Sequence, residues 1–309
     1  MPPSSDVPQS SRFPLHAPCT IRCGLRTEIL CPVVFCTLYT SPSVVRCLSF
    51  AFPQIPLLYR DSLLSQPMPL LCYHSVCDSW DHPLAVKRDS FARQCGRLAK
   101  RHTVVDLTKA LELVDSSGRL PPRISSLTFD DGFADNFEVA LPVLKNHGFT
   151  ATVFVVAATL DRGMDVNWVD SPPPFRLETL SRLQVESLVG EGITIGSHSL
   201  FHRDLTTLPF DECIDDLTES KGILEDIVGG PVDYLAYPRG RWNETVARAA
   251  REAGYSNAFS LPIGPESVGR YSVPRVGIYN NNGPIRFAAK SSRWYQSARM
   301  SRTYQTLRP

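Results

Sequence analysis

The sequence predicts an α/β fold in which parallel strands close, or nearly close, into a barrel. From Pro69 onward, short apolar runs alternate with longer segments whose apolar residues recur at a helical period. Glycines follow several of these segments, as is typical of helix ends. Strands that alternate with helices form parallel βαβ units, and this many units favours a barrel over a small open sheet.

The predicted elements follow one another along residues 70–260. Strands are expected at 70–76, 124–127, 151–157, 193–196, 232–237 and 257–260. Helices are expected from a cap at Asp89 or Ser90, and then at 107–114, 134–146, 180–189, 209–228 and 243–253. Because chemistry in such folds lies at the carboxyl ends of the strands, polar residues at those ends are the candidates for a site.

Composition excludes some classes of partner and leaves the compartment open. A chain of 309 residues with a formal net charge of +1 and mixed signs gives no reason to expect nucleic acid as a partner. Nine cysteines, odd in number and irregularly spaced, favour free thiols over a disulfide scaffold. A cytoplasmic location is therefore favoured, while secretion or association with the cell envelope stays open. The oligomeric state does not follow from the sequence.

Residues 1–66 differ in composition from the rest of the chain. They contain no lysine, are rich in proline, serine and cysteine, and show no sustained period. We expect a poorly structured extension there, followed by the main domain at 67–290 and a polar tail at 291–309. The apolar run 29–39 is interrupted by Pro32 and is too short to cross a bilayer, so no transmembrane segment is predicted.

Two adjacent carboxylates, Asp130 and Asp131, follow the apolar run 124–127 and precede Gly132. Successive side chains of a strand face opposite sides until the backbone turns, so the two carboxylates are expected to have different tasks. One could bind a cation while the other moves protons. Taken alone, the same residues also fit a turn that caps the next helix.

Two histidines, His198 and His202, follow the predicted strand 193–196. Residues four apart approach the same side in a helical or tightly turned segment, so both imidazoles could share one ion. With one of the two aspartates they would form a site with two nitrogen ligands, one oxygen ligand and open positions. Such a site suits Zn²⁺ or another divalent transition metal.

Two further clusters are weaker when taken singly. Residues 236–240 (Ala-Tyr-Pro-Arg-Gly) end another strand, and their turn could aim the backbone N–H of Arg239 into a site, or be an ordinary loop. His74 lies in an apolar strand, where a histidine is more often a core residue than a catalyst. Trp168, Trp242 and Tyr237 lie near strand ends, where they could stack on sugar rings or simply pack.

Together these clusters resemble the polysaccharide deacetylase family, that is, the NodB-homology domains or family 4 carbohydrate esterases. Residues 128–132 (Thr-Phe-Asp-Asp-Gly) are identical to its first motif, and residues 198–202 (His-Ser-Leu-Phe-His) fit its second. Residues 236–240 keep only the proline and glycine of the third motif, Arg-x-Pro-Tyr-Gly: Ala236 replaces its arginine and Arg239 its tyrosine. The resemblance covers residues 69–278 and implies a distorted (β/α) barrel of about seven strands, the NodB-homology fold.

The late histidine of the family is missing, because the chain has no histidine after residue 255. A circularly permuted branch that acts on exopolysaccharides carries this histidine in an early Tyr-His strand, and Tyr73-His74 resembles that arrangement. In this branch an arginine in a late Val-Pro-Arg-Val segment, here Arg275, is a candidate for the missing arginine of the third motif.

The resemblance implies a metal-dependent hydrolase that removes N-acetyl groups from an N-acetylated glycan and releases acetate. Asp131, His198 and His202 would hold the metal, most simply Zn²⁺, and Asp130 would be the catalytic base. His74 would protonate the departing amine, and the Arg239 N–H would bind the oxyanion.

Two other functions remain open. The altered third motif also fits a catalytically silent homologue that binds glycan. The second function is hydrolysis of an amide or imide C–N bond in a small non-sugar molecule, because relatives of the family carry out this reaction.

Overall fold

The computed structural model describes residues 69–117, 121, 123–262 and 266–299. The predicted extension 1–66, with its five cysteines, lies outside the described residues. The four cysteines within them, Cys72, Cys77, Cys95 and Cys213, are free thiols. None of the helices in the described ranges is long and apolar enough to cross a membrane.

Strands and helices alternate along the described chain. The strands are β1 Leu70–Tyr73, β2 Ser75–Val76, β3 Ala85–Val86, β4 Thr103–Val104, β5 Ile124–Phe129, β6 Thr152–Val155, β7 Thr194–Ser197, β8 Tyr234–Ala236, β9 Asn257–Ser260, β10 Val273–Pro274 and β11 Val276–Gly277. The helices are α1 Arg88–Arg101, α2 Leu107–Ser117, α3 Leu141–Asn146, α4 Ala157–Asp161, α5 Arg182–Gly190, α6 Phe210–Val228, α7 Glu244–Glu252, α8 Pro284–Lys290 and α9 Arg293–Arg299. A π-helical turn, Asn136–Ala140, leads into α3.

Nine of these strands form a parallel sheet in the order β10, β9, β8, β7, β6, β5, β1, β11, with β4 paired to β5 beside this path. The other two, β2 and β3, pair with each other in a separate two-stranded sheet. The two ends of the path are neighbours in sequence, because only Arg275 separates β10 from β11. β10 pairs with β9, and β11 pairs with β1. The predicted barrel is therefore confirmed. Residues 273–277 act as one interrupted strand, and with that count the barrel has about seven strands, as predicted.

Two apolar clusters follow from the alternation of side chains along the strands. Leu71, Leu127 and Val153 belong to the larger cluster, together with residues of the surrounding helices. Leu70 and Phe154, one position away on β1 and β6, belong to the second cluster, to which α2 also contributes. The strands are apolar on both faces because both faces are covered.

Several predicted boundaries shift by one to three residues. α1 begins at Arg88 after an N-cap at Lys87, so Asp89 lies in its first turn and neither Asp89 nor Ser90 is the cap. The helix predicted at 134–146 begins at Asn136, because a left-handed turn precedes it. Strand β9 has the predicted bounds. Within the range predicted as a polar tail, Arg293–Arg299 is helical.

Candidate active site and metal centre

A cavity of about 340 Å³ lies at the carboxyl ends of the strands. Six of the seven predicted site residues line it: His74, Asp130, Asp131, His198, His202 and Arg239. The seventh, Arg275, is fully buried and contacts Asp130. The strand ends thus bring together residues that are distant in the chain, such as Asp130 and Arg275, which are in contact although they lie 145 positions apart.

The two aspartates point in different directions because the backbone turns between them. β5 ends at Phe129, and Asp131 has a left-handed conformation with φ 70°, followed by Gly132 at φ 63°. Left-handed backbone is uncommon for residues other than glycine and often occurs at functional sites. The turn sends Asp131 toward the histidines and leaves Asp130 beside Arg275.

The histidines follow β7 in a tight turn. His202 has φ 56° and Ser199 has φ 67°, so this segment is a turn and not a helix. The Nε2 atoms of His198 and His202 lie 3.6 and 3.2 Å from Asp131 Oδ1. All three side chains are buried. The turn therefore places both imidazoles on one side, as the spacing predicted.

The donor set of this cluster fits a divalent transition metal. One ligand atom from each of Asp131, His198 and His202 lies within 4.8 Å of the others. His198 Nδ1 lies 2.8 Å from the carbonyl oxygen of Ala236, and donating to it leaves the Nε2 lone pair facing the cluster. Burial lowers the pKa of His198 to about 4, so the imidazole is neutral at pH 7, as a metal ligand must be.

Asp130 is bound by Arg275 through two charge-assisted hydrogen bonds, of 2.6 Å to Oδ1 and 2.8 Å to Oδ2. Burial raises the pKa of Asp130, but the Arg275 guanidinium and the imidazoles of His198 and His74 outweigh it. The pKa of this carboxyl is therefore well below its ordinary range. Asp130 is a carboxylate at pH 7, and Arg275 fixes the plane of that carboxylate.

His74 lies between β1 and β2, on the opposite side of Asp130 from His198 and His202 in the sheet order. Its ring belongs to a second cluster, with Cys72 and Asp130, whose ligand atoms lie within 4.8 Å of one another. The Asn136 side chain donates to the carbonyl oxygen of His74 at 2.7 Å. The helix after the first motif thus holds the backbone that carries His74.

Arg239 lies in the turn after β8 with φ 57°. Its neighbour Gly240 has φ 67°, and a Cβ there would lie 2.4 Å from Leu261 Cβ, so the position requires glycine. The guanidinium of Arg239 donates to the carbonyl oxygen of Trp168 at 3.1 Å. The sequence does not predict this side-chain contact, because the sequence argument assigns a role only to the backbone N–H of Arg239.

Of the three aromatic residues that could stack on sugar rings, only Trp168 lines the cavity. Tyr237 is fully buried and donates to the carbonyl oxygen of Tyr271. Trp242 donates to Glu266, away from the cavity. These two are packing residues, which was the other interpretation of their positions.

Sequence reasoning missed three residues at the cavity or behind it. Burial raises the pKa of Cys72, so its thiol stays protonated and donates to Asp130 Oδ2 at 3.3 Å. His82 and Tyr279 line the cavity from loops. Cys72 precedes His74 by two positions, so the same strand alternation that pointed to His74 could have identified it.

Comparison with known proteins adds independent findings. Residues 117–258 match the family model described as polysaccharide deacetylase. The chain is 27% identical to YxkH of Bacillus subtilis over 214 residues, which cover 68% of this chain and 71% of that protein. It is 31% identical to the peptidoglycan-N-acetylmuramic acid deacetylase PdaA of Bacillus subtilis over 135 residues, covering 43% of this chain and 44% of PdaA.

Solved structures share the fold over most of the domain. The structure of IcaB from Ammonifex degensii matches with a TM-score of 0.61 and 25% identity, covering 73% of this chain and 97% of that chain. The Streptococcus pyogenes deacetylase PplD, solved in complex with acetate, matches with a TM-score of 0.63 and 23% identity, covering 73% and 98%.

Proposed function

Because this chain belongs to the polysaccharide deacetylase family, we propose that it is a metal-dependent hydrolase that removes N-acetyl groups from an N-acetylated amino-sugar glycan. One observation carries the proposal: three metal-ligand side chains lie next to a buried carboxylate that is bound to an arginine and is not one of the three. Hydrolysis of an acetamide needs both parts, a site for a Lewis acid and a separate base.

Asp131, His198 and His202 would hold the metal, and Zn²⁺ is the simplest choice for two imidazoles and one carboxylate. A metal bound there would supply Lewis acidity, polarising the acetamide carbonyl and making a nearby water more acidic.

The carboxylate of Asp130 would remove the proton from the attacking water, because its low pKa keeps it ionised at pH 7. Arg275 would hold the carboxylate in place through this step. The imidazole of His74, on the other side of Asp130, would donate a proton to the departing nitrogen, so that the C–N bond breaks and a free amine leaves. The backbone N–H of Arg239 would donate to the oxyanion, a contact typically worth about 3 kcal/mol.

The alternative is a catalytically silent homologue that binds glycan. It rests on Ala236, which stands where the third motif has its arginine. Arg275 supplies a guanidinium to Asp130 from a different strand. This contact supports an active enzyme, because the candidate base has the partner that the altered motif lacks.

The test is acetate release by the full chain from N-acetylated glucosamine oligomers, with N-acetylated peptidoglycan fragments and cyclic ureides or imides as further substrates. We expect acetate from the sugars, loss of activity with chelator and recovery with Zn²⁺. The variant His198→Ala should lose the metal. Its matched control, His147→Ala, changes a histidine at the end of α3, outside the cavity, and should keep both metal and activity.

Absence of acetate from every N-acetylated sugar by the metal-loaded protein would contradict the proposal. Turnover of the cyclic substrates in its place would support the small-molecule C–N hydrolase.

A further inference from the structure

Residues 162–181 connect α4 to α5 without a helix or strand of their own, apart from one bridge between Phe133 and Thr179. A connection of this length inside a compact domain is uncommon and is usually functional. Near its end, Leu180 donates its N–H to the carbonyl oxygen of Gly132 at 2.8 Å. The segment therefore ends against the turn that carries the two aspartates.

Trp168, in the middle of this segment, contacts two of the three candidate metal ligands. Its indole Nε1–H donates to Asp131 Oδ1 at 3.0 Å. Its ring stacks on the His202 imidazole, with centroids 4.7 Å apart and an interplanar angle of 21°. Asp131 Oδ1 is the oxygen that faces both His198 and His202, so the indole contacts the atom that defines the cluster.

The two histidines differ in what holds their rings. His198 is fixed by the hydrogen bond between Nδ1 and the carbonyl oxygen of Ala236. His202 Nδ1 is buried, and no hydrogen-bond partner for it is found among the described residues. Metal-ligating histidines are usually oriented by a hydrogen bond from the second ring nitrogen. At His202 the contact on the ring face is the stacked indole of Trp168.

Trp168 is itself held from the other side of the cavity. The Arg239 guanidinium donates to the Trp168 carbonyl oxygen at 3.1 Å and lies 3.8 Å from the Asp170 carboxylate. Arg239 thus holds the backbone carbonyl of Trp168 directly, while its contact with Asp170 is to an exposed side chain. The residue that departs from the third motif of the family supports the loop that carries Trp168.

We propose that Trp168 is a positioning residue for the metal, which orients Asp131 through its indole N–H and His202 through its ring face. The inference rests on the proposed metal site, and it assigns a task to a residue outside the motifs of the family. Trp168 does not ligate the metal; it acts through two residues that would.

Two variants separate the two contacts. Trp168→Phe keeps a ring that can stack on His202 and removes the N–H, whereas Trp168→Leu removes both. The matched control is Trp294→Phe, because Trp294 on α9 is 76% exposed and lies outside the cavity. Each full-length protein is titrated with Co²⁺ in competition with a chelating indicator, and its Co²⁺ absorption spectrum is recorded.

We expect Trp168→Phe and Trp168→Leu to bind Co²⁺ about 10- to 100-fold more weakly than the parent, the usual effect of losing an outer-shell partner. The ligand-field bands should shift most in Trp168→Leu, because His202 is then free to rotate. Trp294→Phe should match the parent. Parent-like affinity and parent-like spectra in both Trp168 variants would overturn the proposal.

If the Trp168 variants do not fold, Arg239→Met provides the test, because it leaves Trp168 in place and removes its anchor. We expect several-fold weaker Co²⁺ binding in that variant, and parent-like binding overturns the proposal. A parent protein that binds no Co²⁺ or Zn²⁺ contradicts the proposed function itself. A parent that binds the metal and releases acetate, with variants that bind equally well, contradicts only the positioning role.

Discussion

Arg275 binds both carboxylate oxygens of Asp130, at 2.6 and 2.8 Å, although the two residues lie 145 positions apart in the chain. Arg275 is the residue that separates β10 from β11, where the path of strands closes on itself. The pair therefore forms only when the barrel closes. Closure of the strand path, through the pairs β10–β9 and β11–β1, therefore also fixes the candidate base.

Removing the guanidinium should affect both stability and rate. In Arg275→Gln a buried carboxylate loses its partner, so we expect the free energy of unfolding at pH 7 to fall by about 3–5 kcal/mol and acetate release to drop strongly. Arg275→Lys keeps the charge but not the paired donors, so its losses should be smaller. Urea unfolding and acetate assays measure both effects. A glutamine variant as stable and as active as the parent would show that the pair has neither role.

Asp130→Asn should lower turnover strongly while the metal stays bound, because asparagine can still accept hydrogen bonds but cannot take a proton from water. We expect a loss of about 10²- to 10⁴-fold in rate, the usual contribution of a general base. Elemental analysis checks the metal content. Asp165→Asn, at an exposed acid of the same connection as Trp168, serves as the control. Equal rates for a metal-loaded Asp130→Asn protein and the parent would refute the assignment of the base.

His74→Ala should lose a large factor in rate at neutral pH with near-normal metal content, because the departing amine then lacks its proton donor. The measurement is acetate release together with metal analysis, and His147→Ala is again the control. An unchanged rate in His74→Ala would show that this histidine is not the proton donor. The role implied by the resemblance to the permuted branch would then be wrong at this position.

We expect Lys290 to make the free energy of unfolding depend on pH. Burial, with Arg299 and Arg286 nearby, lowers the pKa of Lys290 to about 8. Between pH 8 and the ordinary lysine value of about 10.5 the unfolded state binds more protons, so the contribution of Lys290 to the free energy of unfolding rises with pH. Relative to Lys290→Met, the free energy of unfolding of the parent should therefore rise between pH 7.5 and pH 9.5. The expected rise is about 1.4 kcal/mol or more, the free energy that corresponds to one pKa unit.

Urea unfolding of both proteins at the two pH values tests this difference. Lys109→Met, at a lysine whose side chain is 55% exposed, should show no such change relative to the parent. A constant difference between the parent and Lys290→Met across this range would mean that Lys290 titrates alike in the folded and unfolded chain.

Much of the barrel could be predicted because its signals are local. Apolar runs identified the strands β1, β5, β6, β7, β8 and β9, and glycines such as Gly229, in the left-handed region after α6, identified helix ends. The sequence does not predict the strand formed by residues 273–277, although Arg275 of its Val-Pro-Arg-Val segment is a predicted site residue. Its two halves have two residues each, too short for any period, and are strands only because β9 and β1 lie on either side.

The sequence by itself determined which side chains could ligate a metal and which strand ends would carry them, because residue type and spacing are local properties. Only the tertiary structure decided what surrounds them: Arg275 and the Cys72 thiol on Asp130, and Trp168 on Asp131 and His202. These contacts join distant segments, so they depend on the order of the strands in the sheet and on the path of a long connection. Neither has a period or a spacing that can be seen along the chain.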